Sequence, residues 1–216
     1  RAIGLGGAWE VVLMTIQIKT VTGEEVLPWL DALALLRIEV FRDFPYLYDG
    51  DLAYERRYLS SYASSSLSLF VLALDSGRPP EASVVGASTA IALSDAEAAF
   101  QAPFIARSIP VENVLYFGES VLRYHYRGRG LGHRFFDERE AFAREQGKTI
   151  TSFCAVERPD DHPLRPAKYT PLDNFWQQRG YHKQADMHTL YNWRDTNEPA
   201  PSDKLMAFWL REAPSL

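Results

Sequence analysis

The sequence predicts a mixed α/β fold, a sheet of parallel and antiparallel strands with helices on both faces. Two observations predict it. Segments that alternate like strands and segments with helical spacing follow one another in the order ββ-helix-β-helix-β-helix-ββ from residue 69 onward. Midway, an apolar strand runs directly into a glycine-rich loop and then an amphipathic helix, so the sheet is covered by helices.

The elements follow in order. Residues 15–21 alternate, with Ile16, Ile18 and Val21 against Thr15, Gln17 and Lys19, and predict a strand. Residues 24–42 predict a helix, because Leu30, Leu33, Leu36, Val40 and Phe41 fall on one face. A turn-rich aromatic stretch spans 44–50, and residues 51–62 predict a second helix with Asp51 as its N-cap. The serine cluster 60–68 reads as a loop. Strands are expected at 69–75 and 83–93, joined by the turn at 76–80, followed by a short helical insertion at 95–107. Residues 114–122 read as one strand. The helix after the glycine loop ends near Gln146, where Gly147 terminates it. A strand at 149–156 precedes a helix with Thr170 as N-cap, Pro171 in its first position and Gly180 at its end. Strands at 188–193 and 204–210 close the chain.

The 216 residues suffice for one well-buried core, and residues 14–216 are expected to form one domain. Residues 1–13 read as an upstream extension outside it, since Met14 opens a natural-looking strand; Glu10 interrupts their apolar stretch and no signal-peptide pattern follows. A formal net charge of −5 argues against a nucleic-acid partner, although Arg123, Arg127 and Arg129 form a local basic patch. The lone cysteine, Cys154, permits no intrachain disulfide, so a reducing, cytoplasmic location is the default. No apolar run is long enough to span a bilayer, and no membrane association is expected. His162, His182 and His188 lack metal-ligand spacing, and no metal is expected.

Chemistry concentrates in Arg127-Gly128-Arg129-Gly130-Leu131-Gly132. Glycines let the backbone adopt positive φ and pass close to a ligand. The helix start that follows presents unpaired N–H groups and the positive end of the dipole, which suits a pyrophosphate. Arg127 and Arg129 add charged donors. A Walker loop would require Gly-Lys-Ser/Thr where His133 and Arg134 stand, and a dinucleotide fingerprint would require G-x-G-x-x-G. Taken alone, the loop also fits a strand-to-helix turn with no ligand.

Arg127, Gly130 and Gly132 match the Gln/Arg-x-x-Gly-x-Gly/Ala motif of the GNAT acetyltransferase superfamily, which the chain resembles over about residues 15–211. Phe175-Trp176-Gln177-Gln178-Arg179-Gly180-Tyr181 resembles that family's helix ending in aromatic-x-x-x-Gly-aromatic. The resemblance implies a splayed sheet and an acetyl-CoA or other acyl-CoA co-substrate. The pantetheine arm would pair with backbone near Leu122 and Tyr124, and the thioester would sit near Glu119 and Ser120. The implied reaction is direct acetyl transfer to a primary amine of a small molecule or peptide. A non-catalytic acyl-CoA-binding or sensor module is the rival reading.

An attacking amine must lose a proton, since its pKa is about 10.4. Glu119, in an otherwise apolar strand eight residues before Arg127, is the candidate general base; a salt-bridged structural carboxylate is the alternative. Relatives often protonate the departing thiolate with a tyrosine. Here Trp176 stands at the expected position, leaving Tyr169 and Tyr181 as nearby candidates, with solvent as a further source. Cys154 reads as buried and structural. The resemblance also implies that the loop after the first helix walls the acceptor pocket, which nominates Tyr46, Tyr48 and Asp49, with loop 196–203 approaching from the other side. A homodimer through the closing strands is compatible with either reading.

Overall fold

The computed structural model describes residues 16–213; the expected extension at residues 1–13 lies outside them. Eight strands build one open mixed sheet: β1 (Ile16–Thr22), β2 (Ser68–Asp75), β3 (Val84–Ala92), β4 (Val114–Tyr116), β5 (Ser120–Leu122), β6 (Ile150–Val156), β7 (His182–Trp193) and β8 (Ser202–Glu212). Their order is β1-β2-β3-β4-β6-β8-β7, with β5 paired to β3. The β4–β6 pair is parallel and the other pairs are antiparallel.

Alternation along the central strands divides the core into two layers. Phe70 and Leu72 of β2 join Tyr116, Cys154 and Phe208 on one face. There they meet helices α1 (Leu30–Phe41), α2 (Leu52–Ala63) and α3 (Ala98–Ala106). Val71 and Ala73 join Phe117, Phe153 and Trp209 on the opposite face, under α4 (Leu131–Glu145), with Trp176 of α5 (Asp173–Gln178) packed at its edge. Every residue of β3 is buried, as expected for a strand covered on both sides.

Several expectations about element boundaries are corrected. The helix expected over 24–42 begins as a 3-10 segment, Gly23–Trp29, because Pro28 cannot supply the N–H a continuous α-helix needs there. The helix expected from Thr170 begins at Asp173, with Leu172 rather than Thr170 at the cap. The strand expected over 114–122 is broken. Phe117 donates its N–H to Ser152 on β6 at 2.7 Å, and the next residue, Gly118, donates to Thr89 on β3 at 3.2 Å. Beyond that switch the chain follows β3 alone while β6 continues with β8, so the sheet splays. Glycine is required at 118: a Cβ there would stand 2.5 Å from the Tyr62 hydroxyl and 2.7 Å from Thr89 Oγ1. Arg139 of α4, almost wholly buried, reinforces the break. It donates to the Glu119 carbonyl at 3.1 Å and to Ser120 Oγ at 2.9 Å, with its guanidinium over the Phe117 ring.

The loop expected over 60–68 is also shorter: Ser60–Ala63 complete α2, the chain turns only after Ala63, and Ser68 opens β2. The strand expected over 188–193 begins earlier, at His182. The expected N-cap holds: Asp51 caps α2 by accepting from the Tyr54 N–H at 2.7 Å. The aromatic loop 44–50 is fastened by residues 194–196. Tyr48 bridges Asp195, and Thr196 donates to the Leu47 carbonyl at 2.6 Å. Arg158 reaches the carbonyls of Pro45 and Tyr46 and pairs with buried Asp195 at 2.8 Å. Breaking a buried pair strands a charge at a cost of about 3–5 kcal/mol. Arg158→Ala should therefore lower unfolding stability by about 3 kcal/mol, read as a lower urea midpoint with an unchanged slope.

Candidate active site

The splay carries two neighbouring features. One is the glycine loop. Gly128 and Gly130 sit at φ of 74° and 77°, and a Cβ at either would meet nothing within 4 Å, so glycine serves the backbone conformation there. Gly130 caps α4 with no side-chain hydrogen bond, and the first turn holds no acidic residue. Arg134 donates to the Gly130 carbonyl, opening the helical ladder and leaving the preceding N–H groups directed at solvent. Arg127 and Arg129 are exposed beside the loop. A helix start with two exposed arginines beside it is of the kind that suits an anion such as a pyrophosphate.

The strand leading to the loop fits an extended ligand. Arg123 donates to Val85 and Thr89 donates to Glu119, so residues 119, 121 and 123 turn their backbone toward β3. By alternation, Ser120 and Leu122 turn theirs toward the splay. Two details depart from expectation. The Leu122 carbonyl accepts from Arg127 Nε at 3.1 Å, so that arginine folds back on the strand. Tyr124 lies in a 3-10 turn, its carbonyl bonded to the Arg127 N–H, so backbone pairing ends at Leu122.

The second feature is a pocket of about 640 Å³, counting its open mouth, on the α1/α2 face. Gly118 and Glu119 supply part of its wall directly from the strand break. Helices α1 and α2 contribute Arg37, Glu55 and Tyr58; the fastened loop contributes Tyr46 and Tyr48; the closing strand contributes Tyr191 and Trp193. Arg37 Nη1 pairs with Glu119 Oε2 at 2.6 Å, and Arg37 Nε pairs with Glu55. The Tyr58 hydroxyl lies 3.4 Å from the same Glu119 oxygen. Burial alone would lower the Arg37 pKa, but the carboxylates of Glu119 and Glu55 outweigh it and hold the guanidinium charged. One cation therefore serves two buried carboxylates. Burial also raises the phenol pKa values of Tyr46, Tyr58, Tyr62 and Tyr116, which stay neutral.

Among the residues nominated from sequence, Glu119, Tyr46 and Tyr48 meet at this pocket. Asp49 does not: its carboxylate turns outward to Arg194 and Arg42. Tyr181 does not either. It is fully buried on the opposite face, and its hydroxyl contacts Thr151 Oγ1 at 3.0 Å and Glu140 Oε1 at 3.2 Å, so it cannot reach a thiolate at the splay. Tyr169 is half-buried, edge-on to Phe44 at 4.7 Å, near the loop that carries Tyr46. Sequence reasoning missed Arg37, Glu55 and Tyr58. Their signal was available: Arg37 lies on the apolar face of α1 between Leu33 and Phe41, and Glu55, Tyr58 and Tyr62 recur at helical spacing on α2.

No family model and no curated protein matches the sequence. Solved structures match its architecture. Arabidopsis thaliana NAA60 in complex with acetyl-CoA superposes with a TM-score of 0.62 at 13% identity, covering 93% of this chain and 100% of that one. A ribosomal-protein-alanine N-acetyltransferase from Brucella melitensis gives 0.55 at 13% identity, over 91% and 99%. A GCN5-related N-acetyltransferase from Kribbella flavida gives 0.54 at 16% identity, over 91% and 97%. The fold is that of the GNAT acetyltransferases. The likeness is one of architecture, and the chemistry of this chain rests on its own residues. Among the described residues no helix is long and apolar enough to cross a membrane, and no cluster of three or more His, Cys, Asp or Glu side chains converges as metal ligands do.

Cys154 also lines the pocket, with its sulfur 3.0 Å from the Tyr116 hydroxyl. Burial pushes its thiol pKa up to about 12, so it stays protonated and non-nucleophilic at neutral pH. The native protein should therefore leave Ellman's reagent unreacted at pH 8 and react fully after denaturation. Rapid stoichiometric labelling of the native protein would contradict this.

Proposed function

We propose that this protein is an acetyl-CoA-dependent N-acyltransferase that transfers its acyl group directly to a primary amine. The observation that carries the reading is the position of Glu119. It lies on the pocket wall at the strand break, and the same short strand continues into the anion-binding glycine loop. A donor held at the loop and along Leu122 and an acceptor held in the pocket would meet at the splay.

The protein's part is to bind, orient and move one proton. The acyl thioester supplies an activated carbonyl carbon when bound. Backbone at Ser120 and Leu122 would align the donor arm, and Gly128, Gly130 and the α4 N-terminus would hold its pyrophosphate. Glu119 would take the proton from the incoming ammonium, directly or through one water, a step worth about 10²- to 10⁴-fold. The amine nitrogen then bonds to the carbonyl carbon as the carbon–sulfur bond breaks, and its second proton passes to solvent so that a neutral amide forms. The thiolate leaves with a proton from solvent or from Tyr169, since Tyr181 is enclosed on the opposite face. Cys154 takes no acyl group.

Glu119 forms an ion pair, as its structural reading held, and that pairing is compatible with a role as base. Arg37 divides its charge between Glu119 and Glu55, so it orients Glu119 without monopolising it. A binding module without turnover gains one supporting observation. Trp176, at the position expected for a tyrosine, packs against Phe153 and Trp209 at ring distances of 5.0 and 5.1 Å and offers no hydroxyl.

Acetyl-CoA should raise the melting temperature, and Gly130→Asp, which places a carboxylate in the cradle, should abolish the shift. Stabilisation by ATP or NAD with none by any CoA species would remove the assignment. Glu119→Gln should lower thiol release by about 10²-fold or more near neutral pH, with the deficit shrinking as pH nears the amine's own pKa. Its acetyl-CoA affinity should hardly change. Full activity of Glu119→Gln across the pH range would refute the proton-transfer role, and absence of thiol release with any amine would favour the binding module.

A further inference from the structure

The pocket's charge and lining narrow the acceptor. Among the described residues Arg37 is the only cation on its wall, and both Glu55 and Glu119 are paired to it. Two more buried cations, Arg158 and Lys204, lie over the Trp193 ring, but Asp195 and Glu198 occupy them. The wall therefore has no free positive group to receive a substrate carboxylate. It has one carboxylate more than it has cations, in a setting where an uncompensated charge is costly. A ligand with one positive charge supplies the missing partner.

Several hydroxyls of the aromatic walls are bonded to neighbouring side chains. The Tyr54 and Tyr191 hydroxyls meet at 2.8 Å, Tyr58 donates to Tyr62 at 3.1 Å, and Tyr116 meets Cys154. Much of the lining is aromatic ring, which suits a cation and an apolar body better than successive peptide amides.

We propose that the acceptor is a compact alkyl- or arylalkylamine with one positive charge and no carboxylate. Its ammonium would sit against the Glu119–Arg37–Glu55 group and its apolar body against the aromatic walls. The proposal rests on the acyltransferase reading for its chemistry, but its binding prediction stands apart from turnover. Proton transfer to Glu119 leaves a balanced Arg37–Glu55 pair, a neutral Glu119 and a neutral amine, so the surplus charge is consumed as the nucleophile is made.

The test uses 2-phenylethylamine, phenylalanine, phenylalaninamide, 2-phenylethanol and an alanine-initiated tripeptide on the full chain. Equilibrium binding is measured calorimetrically with saturating free coenzyme A, and thiol release from acetyl-CoA is measured separately. 2-Phenylethylamine should exceed phenylalanine by at least about 100-fold in both assays, because a carboxylate buried without a partner costs several kcal/mol and each 1.4 kcal/mol is tenfold. Phenylalaninamide, which lacks the carboxylate charge, should recover at least about tenfold of that loss. Glu55→Gln should narrow the binding preference for 2-phenylethylamine over 2-phenylethanol. If that variant fails to fold, the wild-type ranking decides alone. Selective amine binding without thiol release supports the pocket assignment and removes the acyltransferase reading. Thiol release fastest with phenylalanine or the tripeptide overturns the assignment and leaves acyl transfer standing.

Discussion

The structure depends on a switch of hydrogen-bond partner between two consecutive residues. Phe117 bonds to β6, Gly118 to β3, and from there the strand cannot follow both neighbours. A continuous strand would have closed the sheet and buried the backbone of Ser120 and Leu122 against β6. The break frees that backbone from β6, although Arg127 holds the Leu122 carbonyl, and it places Glu119 on the pocket wall ahead of the glycine loop. Gly118 permits it by keeping clear of Tyr62 and Thr89. Arg139 holds it from the other face by binding the Glu119 carbonyl and the Ser120 hydroxyl. Burial lowers the Arg139 pKa to about 10, so it remains a cation at neutral pH and keeps that grip.

Arg37 holds the pocket together much as Arg139 holds the strand. A buried guanidinium needs compensation, and two carboxylates on two different elements provide it. The same contacts fix α1 against α2 and against the strand break. Because the charge is shared, neither carboxylate is fully neutralised. The arrangement stabilises helix packing while keeping both carboxylates on the pocket wall, so an ion pair for Glu119 does not by itself exclude the proposed catalytic role.

The fold was largely legible because periodicity reports local geometry. Strand alternation and helical spacing predicted the order of elements, and the glycines at 128 and 130 predicted left-handed backbone before a helix start. The corrections share a cause. Residues 114–122 carry strand propensity throughout, yet the hydrogen bonds of Phe117 and Gly118 go to different neighbours, a tertiary fact that periodicity does not encode. The site was half legible. Glu119, Tyr46 and Tyr48 stood out by type and place, but Arg37 and Glu55 matter through their pairing, which joins residues 18 and 82 positions apart along the chain. Tyr181 was nominated by nearness in sequence to Trp176. It lies on the opposite face because the chain turns through Gly180 at φ of 83° before entering β7.

The aromatic walls add a further constraint on how the site works. A pocket lined with phenols would be wet if each hydroxyl sought water. Here several hydroxyls are taken up within the protein, Tyr54 with Tyr191 and Tyr58 with Tyr62, and Tyr116 is capped by the Cys154 thiol. That last contact gives Cys154 a function other than nucleophilic attack. Its protonated sulfur satisfies a buried hydroxyl while presenting an apolar surface to the cavity. Alanine at 154 would leave the Tyr116 hydroxyl without that partner inside the core, at a cost of about 1–3 kcal/mol. The loss would appear in stability and in amine affinity, while transfer to a bound amine, which uses no group on that sulfur, would continue.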